Sequence, residues 1–169
     1  MNRYVFDLDN TLVYTDLLNN DSYNYALNRL GFAPIKGSKR VTRNTVFKKY
    51  PNLNNLQKKE IINLKQEYFI NNLNNTIPNT VLLQVLATEN AKSCVLWTSA
   101  DEVRVMAILG YYNIFNSFSK LLFSDKLEVA QDIKKICGHF ECDIEQLIFY
   151  EDSHRVIKEL QQLKLNVIC

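Results

Sequence analysis

Apolar residues in this chain gather in short continuous runs separated by polar turns and by stretches with helical spacing. Four runs stand out: YVFDL at 4–8, SCVLWT at 93–98, QLIFY at 146–150 and NVIC at 166–169, with a weaker fifth, KLLFS, at 120–124. They are rich in β-branched and aromatic residues and do not alternate with polar ones, so they predict strands of a parallel sheet covered on both faces. The segments between them carry helix signals. Ser99 to Glu102 has the form of a capping box and opens a pattern (Val103, Met106, Ala107) that stops at Gly110. Asp125 to Glu128 repeats that spacing before Val129, Ile133 and Ile136, while Asp152 and Ser153 precede Val156, Ile157, Leu160 and Leu163. Strand, polar turn and helix therefore recur, which predicts an α/β fold built on a doubly wound parallel sheet of about five strands.

The interval 13–81 breaks this rhythm. It holds helix-compatible pieces at about 20–30, 42–49 and 56–72, broken by Gly31, Pro34, Gly37 and Pro51, and no convincing strand. The pattern predicts a core made of residues 1–12 and 82–169 and a mainly helical insertion, 13–81, after the first strand.

Composition narrows the class. With 169 residues, 47% hydrophobic and 22% charged, the chain suits one core plus a modest insertion, and no apolar run is long enough for a membrane span. Acidic residues interrupt the first apolar segment, so it does not read as a secretory leader, and a cytoplasmic location is expected. The four cysteines (Cys94, Cys137, Cys142, Cys169) contain no CxxC pair and read as free thiols, not zinc ligands. The formal charge of +2 conceals an asymmetry: residues 17–81 carry ten Lys/Arg and three acids, Asp21, Glu60 and Glu67. The insertion is a basic block.

The candidate chemistry lies where the apolar runs end. In an open parallel α/β sheet, ligands bind outside the carboxyl ends of the strands. Asp7 and Asp9 end the first run, Thr98 and Ser99 the second, Glu151 and Asp152 the fourth, and Lys126 follows the weak one. Four carboxylates gathered at one edge repel each other unless a hard cation neutralises them, and Mg²⁺ prefers oxygen ligands and is commonly shared with phosphate. An aspartate in such a place is a plausible nucleophile towards phosphorus, with a second carboxyl as acid and base.

These residues also carry a resemblance. Asp7-Leu-Asp-Asn-Thr11 resembles the DxDxT motif of the haloacid dehalogenase-like hydrolases, and VLWTS, Lys126 and FYEDS are similar to that family's second, third and fourth motifs, in order. The likeness spans Tyr4 to Cys169 and implies a Rossmann-like core with a helical cap, as in the subgroup that includes β-phosphoglucomutase and phosphoglycolate phosphatase. Residue by residue, it implies that Asp7 is the nucleophile and a Mg²⁺ ligand and that Asp9 is the general acid/base, with its backbone carbonyl on the metal. It further implies that Thr98 binds the transferring phosphoryl group, that Lys126 offsets charge, and that Asp152 and Glu151 serve the metal. Lys92 and Lys134 are alternatives for the lysine. An acid at Asp9 favours phosphoryl chemistry over dehalogenation.

Thr11 and Ser99 join the substrate-binding candidates. A cap closing on an anion should be electropositive, so Lys36, Lys39, Arg40 and Arg43, around the Gly37-Ser38 loop, are further substrate-contact candidates. His154 follows the acidic pair but reads as a solvated first-turn residue, and His139 has no supporting neighbours in sequence. The expected function is a Mg²⁺-dependent phosphohydrolase of a small phosphorylated metabolite, monomeric or weakly self-associating, with no nucleic-acid or membrane partner. A phosphomutase and a binding module without turnover are the alternatives.

Overall fold

The computed structural model describes residues 1–37 and 39–168. Ser38 of the predicted loop and Cys169, the last residue of the terminal run, lie outside them. The chain divides into two compact units, Met1–Val13 with Pro78–Cys169, and Tyr14–Ile77.

In the first unit, strands β1 (Arg3–Phe6), β4 (Cys94–Thr98), β5 (Lys120–Phe123), β6 (Leu147–Tyr150) and β7 (Asn166–Ile168) form one sheet in the order β5-β4-β1-β6-β7. Every pairing is parallel, with Phe6 opposite Leu96 and Tyr150. This is the predicted α/β architecture, and all five apolar runs become strands. The central position of β1 follows from its neighbours β4 and β6, whose residues are mostly buried. Successive side chains face opposite ways. Val5, Val95, Trp97, Leu147 and Phe149 pack against α6 (Val129–Phe140) and α7 (His154–Gln162) through Ile133, Ile136, Val156 and Leu160. Each such fully buried side chain contributes about 1.5–3 kcal/mol by leaving water. Phe6 and Tyr150, the next residues along, stack face to face at 4.7 Å between ring centroids.

The remaining helices of this unit are α4 (Thr80–Thr88) and α5 (Glu102–Tyr111). The cap of α5 is Asp101, whose carboxylate accepts from the Val103 N–H at 3.1 Å, and not Ser99 as the capping-box spacing predicted. Gly110 lies inside the helix instead of ending it. Asp125 likewise caps nothing; it accepts from the Leu127 N–H at 3.0 Å, in the turn before α6.

The second unit is helical: α1 (Asp16–Arg29), α2 (Arg43–Lys49) and α3 (Asn55–Asn71). Its core joins Tyr23, Ala26 and Leu27 of α1 to Val46 of α2, Ile61 of α3 and the connecting Ile35, Val41 and Leu53. Capping boxes at Thr42 and Asn54 set the starts of α2 and α3. The reading of 13–81 as holding no convincing strand meets two short exceptions. The exceptions are the two-residue segments β2 (Val13–Tyr14) and β3 (Ile77–Pro78), which pair where the chain passes between units; two residues carry too little pattern to be read. No helix among the described residues is long and apolar enough to cross a membrane.

Candidate active site

The first motif sits directly past β1. In an extended chain Asp7, Asp9 and Thr11 would share one face, but the strand ends at Phe6 and the motif is a tight turn. Asn10 takes a positive φ of 60°, and the Leu12 and Val13 N–H groups both return to the Leu8 carbonyl. Asparagine tolerates that backbone because its short polar side chain bonds locally. The turn leaves Asp7 6% exposed at the middle of the sheet's carboxyl edge.

Lys126 meets it there. Its ammonium donates to Asp7 Oδ1 at 2.6 Å and to Glu151 Oε2 at 2.7 Å, joining the ends of β1 and β6. The other oxygen of Glu151, Oε1, accepts from the Ser153 N–H at 3.0 Å, so this carboxylate also organises the approach to α7. Of the three candidate lysines, Lys126 is the one at the acids. Lys92 is exposed in the turn that leads into β4, and Lys134 is exposed on α6. Lys126 has a left-handed backbone, φ 59°, which costs a residue with a side chain roughly 1–2 kcal/mol. The surroundings hold it there: its N–H donates to Ser124 Oγ at 3.1 Å, its carbonyl accepts from Arg155 Nη2 at 2.8 Å, and its ammonium lies 4.6 Å over the Trp97 ring.

Asp152 is exposed and completes the cluster: carboxylate oxygens of Asp7, Glu151 and Asp152 lie within 4.8 Å of one another. Among the described residues this is the one group of metal-ligating side chains so gathered, and no cysteine belongs to it. Cys94, Cys137 and Cys142 are free thiols. An all-oxygen set suits a hard divalent ion. Charge points the same way, since three carboxylates less one ammonium leave two formal negative charges. Burial, with the neighbouring Glu151 and Asp9 charges, outweighs Lys126 and pushes the Asp7 carboxyl up to about 7. Lys126 shows the counterpart: burial works to lower its pKa, but Asp7 and Glu151 prevail and raise it. The acids present therefore fit Mg²⁺, with Asp7, Glu151 and Asp152 to hold it.

Thr98 ends β4 and is 1% exposed, and its Oγ1 accepts from the Ala100 N–H at 3.1 Å. Ser99, next to it, is exposed. Thr11 is buried, and its hydroxyl has no hydrogen-bond partner among the described residues. A buried hydroxyl left open in this way suits a ligand oxygen. His154 is the exposed first residue of α7. His139, without evident company in the sequence, shares a 2.9 Å hydrogen bond with Ser119 Oγ.

Sequence reasoning missed Arg104. From α5 its guanidinium reaches Asp9 Oδ2, both side chains being largely buried. Its signal was an arginine beside the apolar stripe of that helix, next to Val105, Ile108 and Leu109.

In the second unit the basic block separates into two groups. Arg40 pairs with Asp16. Lys65 is buried, 5.4 Å over the Tyr23 ring and 4.9 Å over that of Phe69. Lys49 donates to the Pro34 carbonyl, and Lys58 covers the Phe47 ring. These cations serve the unit's own packing. Lys36, Lys39 and Arg43 are exposed.

The comparisons with known proteins bear on the fold and the family. The fold is similar to that of a predicted phosphoglycolate phosphatase from Haemophilus somnus, with a TM-score of 0.82 at 21% identity over 99% of this chain and 84% of that one. It is similar to CbbY from Rhodobacter sphaeroides, solved as a D10N mutant with xylulose-1,5-bisphosphate, with a TM-score of 0.74 at 16% identity over 99% and 84%. A predicted phosphatase from Clostridium acetobutylicum aligns with a TM-score of 0.67 at 18% identity over 98% and 82%. A search of curated proteins finds no significant match. The family description haloacid dehalogenase-like hydrolase matches residues 4–169, almost the whole chain. This chain belongs to the haloacid dehalogenase-like hydrolases.

Proposed function

We propose that the protein is a Mg²⁺-dependent phosphohydrolase that cleaves a small phosphomonoester through an aspartyl-phosphate on Asp7. The observation that carries this reading is the Lys126 ammonium bridging Asp7 and Glu151 beside Asp152, a cluster with two negative charges left uncompensated. In the first step an Asp7 oxygen forms a bond to phosphorus while the phosphorus–ester oxygen bond breaks, and Asp9 gives its proton to the departing oxygen. In the second, Asp9 takes a proton from water, the water oxygen bonds to the same phosphorus, and the Asp7 carboxylate and inorganic phosphate separate. Lys126 offsets charge on Asp7 and on the phosphoryl oxygens throughout. Thr98 and the unpartnered Thr11 hydroxyl are donors for those oxygens. Bound Mg²⁺ supplies the charge that keeps Asp7 ionised at neutral pH and balances the phosphoryl group.

The helical unit serves as the cap, with exposed Lys36, Lys39 and Arg43 attracting an anionic substrate. Purified protein should release nitrophenol from p-nitrophenyl phosphate with Mg²⁺ and not with EDTA, and Asp7→Asn should abolish release. Turnover that survives either change refutes the reading.

A further inference from the structure

We propose that Asp132 is a positioning residue for Lys126, acting through Trp97 and Ser124. The inference rests on the functional reading above, because it concerns how the lysine of that site is held.

Asp132 lies on α6 among Val129, Ile133 and Ile136, at a core-facing position where the helix pattern calls for an apolar residue, and it is 2% exposed. A carboxylate there is tolerable only when fully bonded. Its Oδ2 accepts from Trp97 Nε1 at 3.1 Å and from Ser124 Oγ, and its Oδ1 from Lys135 Nζ at 3.0 Å. Burial works to raise its pKa, but the bonds from Ser124, Lys135 and Trp97 outweigh it, so the group stays ionised.

Two of these donors are supports of Lys126. The Ser124 hydroxyl spends its proton on Asp132, which leaves its lone pairs to receive the Lys126 N–H at 3.1 Å. That bond holds a left-handed backbone that a lysine otherwise avoids. The indole, pinned through Nε1, presents its face to the Lys126 ammonium at 4.6 Å. One buried carboxylate thus fixes both the main chain and the charged tip of the lysine, without touching it. The third support, Arg155 on the Lys126 carbonyl, is independent of Asp132.

Asp132→Leu keeps the approximate size and shape but accepts from neither Trp97 nor Ser124. We expect kcat for p-nitrophenyl phosphate to fall roughly tenfold to a hundredfold, the scale of a misplaced catalytic group, with KM nearly unchanged. Ser124→Ala and Trp97→Phe, which remove one support each, should give smaller losses of the same kind. In a crystal structure of Asp132→Leu, the Lys126 ammonium should leave hydrogen-bond distance of Asp7 or Glu151. A variant that folds with wild-type kcat and the ammonium still on both acids overturns the proposal, even if it melts earlier, since that outcome describes packing alone. If the wild type lacks Mg²⁺-dependent turnover, the phosphohydrolase reading fails instead, and the ammonium's place in the variant structures decides the positioning claim.

Discussion

Arg104 donates to the carboxylate of Asp9 across 95 positions of sequence, tying the turn after β1 to α5. A hydrogen bond to a charged group contributes about 1.5–3 kcal/mol. The bond fixes where the Asp9 carboxyl sits, so Arg104→Met should lower kcat by roughly tenfold to a hundredfold, the scale of a misplaced catalytic group, and Arg104→Lys should recover part of it. Steady-state kinetics on both variants, with circular dichroism to verify folding, provide the check.

Lys126→Met removes the cation between two buried acids. Breaking a buried pair from one side costs about 3–5 kcal/mol, so urea unfolding should show a loss of that size in metal-free protein. Mg²⁺ should restore stability to this variant without restoring turnover.

The raised pKa of Asp7 fixes the sign of a pH effect. Its native value, about 7, lies above its ordinary 3.8, so the folded chain holds this proton more tightly than the unfolded one. The stability it contributes is complete below 3.8 and is lost as pH rises through about 7. The melting temperature of metal-free protein should fall over that interval, and Asp7→Asn should flatten the decline. Added Mg²⁺ should raise the melting temperature more above pH 7 than below, because a ligating carboxylate must be ionised.

The basic residues of the helical unit should behave as two groups. Charge reversal at Lys36 or Arg43, both exposed, should raise KM for anionic substrates, and the effect should shrink as salt rises. Arg40→Ala should instead lower stability, because its partner Asp16 starts α1. Kinetics at two ionic strengths and thermal melts separate the two behaviours.

The sheet could be read from the sequence because continuous apolar runs have few other uses. The placement of Asp7, Lys126, Glu151 and Asp152 followed from a rule about strand ends, which needs only order along the chain. Arg104 and Asp132 escaped that logic because each lies within a helix, where partners come from packing. Asp132 did carry a trace, a carboxylate in step with Val129, Ile133 and Ile136. The Asp7–Thr11 turn was not legible, because nothing in YVFDLDNTL marks Phe6 as the strand's end.

Trp97 is the protein's single tryptophan, and its ring lies against the Lys126 ammonium. Its intrinsic fluorescence is therefore a built-in reporter of the site. Cation titrations and transient covalent states at the neighbouring aspartate can be followed by stopped-flow emission in the unlabelled protein.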